Sequence, residues 1–193
     1  VIHYENAGVS CSLSCRCLVI ATGARETIQP IPGWTLPGVV GMAGATSIFK
    51  QDLIPMGSKM VVSGTGPLAF FVAAEQQRLG GKVAAVLTSN TFLDWMKALP
   101  AMILRPGLLF RGLRWITALY VNRIPIYWGH TVTRVEGESS VSRVEFKKIG
   151  KDWSPQGEPS VIDCDCVSLG GGLISAFESF QLAGISLEHR SDL

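Results

Sequence analysis

The chain has 193 residues, 47% of them hydrophobic, and carries 17 Lys and Arg against 15 Asp and Glu for a net charge of +2. That is enough apolar material for one large domain with flanking pieces, and so small a net charge leaves no footprint for nucleic acid or an anionic membrane. The start, Val1–Asn6, lacks the basic region, apolar stretch and cleavage site of a secretory signal, and the apolar region 98–121 is too interrupted by Pro100, Pro106, Gly107 and arginines to span a membrane.

Along the chain, Val1–Tyr4 reads as a short strand. Ser14–Ala21 reads as a second strand, whose apolar end Cys17–Ala21 suggests burial on both faces in a parallel sheet. It stops at Thr22-Gly23-Ala24. Pro30, Pro32, Gly33, Pro37 and Gly38 make a connector without regular structure. A helix is expected over Ala43–Gln51 and a buried strand over Lys59–Ser63. Next comes Gly64-Thr65-Gly66-Pro67-Leu68-Ala69, then a helix to about Leu79. Gly80-Gly81 closes that helix, and Lys82–Leu87 is the next strand.

Thr91–Asn122 reads as two helical segments parted by Pro106-Gly107. Ile124–Trp128 is a short strand. Thr131–Glu136 and Val141–Lys147 alternate as in a β-meander. Residues 150–159 are polar and turn-rich. Val161–Leu169 reads as one strand ending in Gly170-Gly171-Gly172, and a helix over Ala176–Ala183 follows. The expected fold class is α/β: a Rossmann-like nucleotide-binding domain of parallel sheet and helices with an antiparallel β-meander.

Five cysteines, with no secretory signal, point to a reducing compartment. Cys15-x-Cys17 and Cys164-x-Cys166 have the wrong spacing for zinc ribbons. They read as buried core thiols sharing one face of a strand. His3, His130 and His189 show no metal spacing. Trp34, Trp95, Trp115, Trp128 and Trp153 read as core or interface residues. Arg111 and Arg114 share a helix face with each other, and Arg105 and Arg123 lie on the same stretch; these arginines read as a solvated helix face, with contact to a nucleotide phosphate or a partner subunit as the alternative.

The strongest signal is Gly64-x-Gly66-x-x-Ala69 between a strand and a helix. Gly64 allows the tight turn, Gly66 lets the backbone approach a pyrophosphate, and Ala69 allows close helix–strand packing. The helix N-terminus presents free N–H groups to phosphates. An acid usually stands about 20 residues on to hold the ribose hydroxyls. Here that place reads Thr88-Ser89-Asn90, so Ser89 or Asn90 is left for the contact. The loop is expected to take NAD(P) or ATP.

The order of Ala21-Thr22-Gly23-Ala24, a Pro-rich connector and then the glycine loop resembles the pyridine nucleotide-disulfide oxidoreductases. Within them, Pro32-Gly33-Trp34-Thr35-Leu36-Pro37-Gly38-Val39, Ser63–Leu68 and Arg111-Gly112-Leu113-Arg114 are similar to opine oxidase A subunits, hydrogen cyanide synthase B subunits and dye-linked proline dehydrogenase α subunits. The resemblance implies an FAD-dependent oxidoreductase subunit that oxidises the C–N bond of amines, opines or amino acids within a hetero-oligomer. It implies that Thr22 and Gly23 touch the flavin and that Cys166–Gly172 returns to the flavin domain. Residues 1–40 and 161–193 would be partial flavin-domain pieces around a nucleotide domain over 41–160. The flavin domain's own glycine motif is not in this sequence, so the chain reads as a piece of a longer subunit, inactive when isolated. The implied location is cytoplasmic, or peripheral at the inner membrane. No catalytic side chain can be named, and a nucleotide-binding or assembly module without redox activity stays open as the alternative.

Overall fold

The protein is described by a computed structural model covering residues 1–187. The chain divides into two compact units, one of Val1–Arg25 with Ile174–Leu193 and the other of Glu26–Leu173.

In the smaller unit, β1 (Ile2–Asn6) and β2 (Val9–Leu13) form an antiparallel hairpin. Its tip, Ala7-Gly8, has φ of 49° and 81°, the mirror-image turn that matches strand twist. Residues 14–23 carry no regular structure, and Leu18 and Val19 are exposed. The buried strand expected over Ser14–Ala21 is therefore absent. An apolar run becomes a buried strand only where neighbours take up its hydrogen bonds and cover both faces, and no described strand does so here. The short strand β3 (Ala24–Glu26) follows.

The larger unit opens with the connector and β4 (Val39–Gly41), then α1 (Met42–Gln51). Helix α1 has glycine at its N-cap, and Glu26 supplies the missing acceptor. Its Oε1 and Oε2 accept the N–H groups of Met42 and Ala43 at 2.8 and 3.1 Å, satisfying two of the helix's free donors. Next come β5 (Lys59–Gly64), α2 (Pro67–Arg78) and β6 (Lys82–Thr88). Pro67 heads α2 as expected, and Gly80 ends it with φ 90°. Helices α3 (Phe92–Ile103) and α4 (Pro106–Val121) form a hairpin before β7 (Ile126–Trp128). Then come β8 (His130–Glu136), β9 (Arg143–Ile149), β10 (Pro155–Asp163) and β11 (Cys166–Gly170). The last elements are β12 (Leu173–Ser175) and α5 (Glu178–Leu182).

Strands β4, β11, β5, β6 and β7 make a parallel sheet in that order, while β10, β9 and β8 make an antiparallel one. The parallel sheet is covered on both faces. On one side, Met60, Val62 and Val86 pack with Phe49 of α1, Phe70 of α2 and Leu119 of α4. On the other, Val61, Leu87 and Val167 meet Val132, Val144 and Phe146 of the antiparallel sheet. Double coverage explains why β5 and β6 read as unbroken apolar runs rather than alternating ones.

Two expectations near the C-terminal end are corrected. Val161–Leu169 is not one strand: β10 ends at Asp163, β11 starts at Cys166, and the two lie in different sheets. The polar stretch 150–159 is partly strand, because β10 begins at Pro155 and pairs with β9 through a register shift between Gln156 and Ser160. A bulge of that kind hides an edge strand behind turn residues such as Gly157. The break also overturns the shared face expected for Cys164 and Cys166. Both are buried, but Cys164 joins the antiparallel-sheet core and Cys166 the helix-side core. Cys15 and Cys17 are exposed, against the expectation of burial, because the strand meant to bury them does not form.

Candidate nucleotide-binding site

The direction in which strands are added reverses between β5 and β11. From β5 the chain moves outward to β6 and β7, whereas β11 lies on the other flank with β4 beyond it. In open α/β sheets a ligand crevice lies outside the carboxyl ends of the strands at such a point. Here those ends are Gly64 and Gly170, partners in the same ladder.

The loop after β5 carries the features a close backbone approach requires. A Cβ on Gly64 would run into the terminal methyl of Met42 and lie 2.8 Å from the Gly170 carbonyl oxygen. Gly66 has φ 69° and ψ −168°, a region open essentially to glycine alone, and nothing stands within 4 Å of where its Cβ would be. Pro67 is the first residue of α2, so the helix's leading N–H groups belong to Leu68 and Ala69, which have no acceptor inside the helix. Ala69 is fully buried against the sheet.

Two cavities flank this loop. One, of about 210 Å³, includes Gly64, Thr65, Ser89, Thr131, Gly170 and Gly171 in its lining. The other, of about 430 Å³, takes Gly66 and Pro67 with Asn90, Asp94, Trp95 and Arg111. The larger lies in the size range of small-molecule sites. Of the residues singled out from sequence, Thr65 and Ser89 therefore face the smaller cavity, and Gly66 and Pro67 the larger.

The fold brings Asn90, which the spacing singled out, to this loop together with Asp94, which it did not, and Arg111. Asn90 Oδ1 accepts the Gly66 N–H at 2.9 Å, which fixes the loop and occupies one of its donors. Asp94 lines the cavity from the first turn of α3, an acidic side chain where the end of β6 has none. Its Oδ2 accepts the Thr91 N–H and hydroxyl at 2.8 and 2.7 Å. Those bonds from Thr91 hold the Asp94 carboxyl below the usual carboxylate range. Arg111 comes from α4, its Nε donating to the Gly107 carbonyl at 3.2 Å. The Thr91-x-x-Asp94 capping box was the readable sign of Asp94. Arg111 had only its helical spacing.

Thr22 and Gly23 lie in the smaller unit. The Thr22 hydroxyl donates to the Ala176 carbonyl at 2.7 Å, and the Ala176 N–H donates to Gly23 O at 3.0 Å. His130 Nδ1 lies 2.8 Å from the Trp128 carbonyl, while His189 falls outside the described residues. Among the described residues no group of three His, Cys, Asp or Glu is placed to hold a metal. Burial pushes the Cys164 and Cys166 thiols up to about 12 and about 11.

The family model described as pyridine nucleotide-disulphide oxidoreductase matches residues 3–192, and the chain belongs to that family. It is 30% identical over 174 residues to hydrogen cyanide synthase subunit HcnB of Pseudomonas aeruginosa, covering 89% of this chain and 37% of that protein. It is 32% identical over 174 residues to the opine oxidase A-subunit of Rhizobium meliloti, covering 88% of this chain and 31% of that one. The chain thus spans about a third of the length of these curated relatives. The structure of an FAD-dependent pyridine nucleotide-disulphide oxidoreductase from Desulfovibrio vulgaris superposes with TM-score 0.60 at 23% identity, over 94% of this chain and 42% of that one. L-proline dehydrogenase from P. horikoshii gives 0.53 at 19%, over 88% and 24%. At these identities the structural likeness establishes the fold.

Proposed function

We propose that this family member contributes the pyridine-nucleotide-binding part of a flavin-dependent oxidoreductase that oxidises a C–N bond in an amine, opine or amino acid. The observation that carries the nucleotide reading is Gly66. Its glycine-only backbone stands open in front of a helix N-terminus, beside the reversal point of the sheet. The residues fit the group. Leu68 and Ala69 N–H would meet the pyrophosphate, and Asn90, Asp94 and Arg111 the adenosine ribose and its phosphate. Gly64, Gly170 and Gly171 leave room for the nicotinamide half in the smaller cavity. Nothing observed favours ATP over a nicotinamide nucleotide.

The substrate class rests on the similarity to hydrogen cyanide synthase subunit HcnB and the opine oxidase A-subunit. Thr22 and Gly23 would border the flavin, with Val1–Arg25 and the stretch from Ile174 belonging to the flavin side. The flavin, when bound, accepts hydride from the substrate carbon. The partners would be the other subunits of a hetero-oligomer. Anaerobic addition of an amine, opine or amino acid to the intact flavoprotein complex is expected to bleach the flavin's visible band. Bleaching by NADH alone, with none of those substrates effective, would contradict the C–N assignment.

One observation favours a second reading, a nucleotide-binding or assembly module without redox activity. Asn90 stands where a dehydrogenase usually carries its ribose-binding acid, and its Oδ1 already takes the Gly66 N–H.

A further inference from the structure

Helix α3 buries none of its residues, although most of them are apolar. Phe92, Met96, Leu99 and Ile103 recur at the spacing of one helical stripe and are 58%, 55%, 44% and 59% exposed. Helix α4 turns Leu119 into the core but leaves Phe110, Leu113, Tyr120 and Val121 more than half exposed. Leu104, between the helices, is 83% exposed. The two stripes are continuous with each other: Phe92, Met96 and Leu99 line one apolar cavity of about 270 Å³ together with Leu113 and Tyr120. Neither helix is long and apolar enough to cross a membrane.

The charge on this hairpin is one-sided. Residues 92–123 hold Lys97, Arg105, Arg111, Arg114 and Arg123 against Asp94 alone, a net of +4 within a chain of net +2. The remaining residues are therefore net negative. Lys97 and Arg114 sit at the borders of the apolar arcs, where long stems run along apolar surface while the charge reaches past it. An exposed apolar stripe edged by cations is the signature of a helix lying in the plane of an anionic bilayer surface. A symmetric pairing of two copies through the same face would set two net-positive hairpins against each other.

We propose that the α3–α4 hairpin is a monotopic membrane-docking element that seats Leu104, Phe110 and the α3 stripe in the headgroup region of an anionic lipid surface. Lys97, Arg105 and Arg114 face the lipid phosphates, while Arg111 lines the larger cavity. The same two helices line the larger cavity through Asp94, Trp95 and Arg111, but Phe92, Met96, Leu99, Leu104 and Phe110 are not in that lining, so their docking is tested separately from nucleotide binding.

The test is sedimentation of the purified chain with phosphatidylcholine vesicles containing or lacking about a third phosphatidylglycerol. Binding is expected only with phosphatidylglycerol and is expected to weaken as salt is raised, since surface attraction falls off within a Debye length. Neutralising Lys97, Arg105 and Arg114 to Gln should weaken partitioning by roughly fivefold per charge, from about 1 kcal/mol for each basic residue at the surface. Leu104→Ser with Phe110→Ser should abolish it. All five positions are exposed, and the far-ultraviolet spectrum and melting point check that each variant is folded. Equal binding to both vesicle types, no binding to either, or salt-insensitive binding would overturn the proposal. So would a stable dimer disrupted by Leu104→Ser and Phe110→Ser with no vesicle binding, which would assign the face to a second copy.

Discussion

Gly64 and Gly170 stand opposite each other in the parallel ladder of β5 and β11, and the Met42 side chain lies where a Cβ on either would go. The sheet's reversal point is thus held open above and filled below by one flexible thioether. Gly64→Ala must push against Met42 and the Gly170 carbonyl. It is expected to cost about 1–3 kcal/mol, the usual penalty of overpacking, seen as a lower urea midpoint at unchanged slope.

Gly66→Ala meets no atom, yet its backbone angles remain forbidden to a residue with a Cβ. The expected cost is again about 1–3 kcal/mol, now from strain rather than collision. The two variants separate in combination with Met42→Ala. Removing the thioether should relieve Gly64→Ala and leave Gly66→Ala unimproved in the same denaturation experiment.

Gln76 is fully buried, and its amide accepts the Met56 N–H at 2.8 Å and donates to the Met56 carbonyl at 2.7 Å. Gln76→Leu keeps the volume but strands both backbone groups. Unfolding in urea should show a loss of roughly 2 kcal/mol, the scale of an unsatisfied buried polar group.

Asp165 accepts the N–H groups of Ser58 and Lys59 and the Ser58 hydroxyl. Burial pushes its carboxyl up, but those bonds outweigh it and hold it below the usual range. A depressed native pKa gives stability that is complete above the unfolded pKa of about 4 and is lost as pH falls through the native value. Asp165→Asn should lower stability at neutral pH by about 1 kcal/mol, a figure kept small because the group is exposed. The gap from wild type should close as melting is repeated at more acid pH.

Thiol labelling at about pH 8 should modify Cys15 and Cys17 rapidly. Cys164 and Cys166 are expected to stay unmodified until the protein unfolds, because burial pushes their thiols up to about 12 and about 11.

The strand–loop–helix–strand unit from Lys59 to Thr88 was legible because each of its signals is local: an apolar run, a glycine pair, a proline at the first helical turn. The meander was legible from alternation in β8 and β9. What failed depended on neighbours distant in sequence. Cys17–Ala21 is as apolar as β5, but no described strand pairs with it. Val161–Leu169 looks continuous, although the chain changes sheets at Cys164-Asp165. At the site, the spacing rule looked for an acid at the end of β6 and found Asn90. The fold instead delivers Asp94 from the next helix and Arg111 from the one after. That convergence depends on how the α3–α4 hairpin packs, which no single-chain periodicity encodes.

Binding of a nicotinamide dinucleotide in the groove between Gly64–Ala69 and the ends of β6 and β11 is the central proposal. Calorimetric titration of the chain with NADH and NADPH, beside Gly66→Val, tests it most directly. The expected result is saturable binding of at least one dinucleotide, abolished in a variant that remains folded by circular dichroism. Absence of binding to the wild-type chain, or equal binding by folded Gly66→Val, would contradict it.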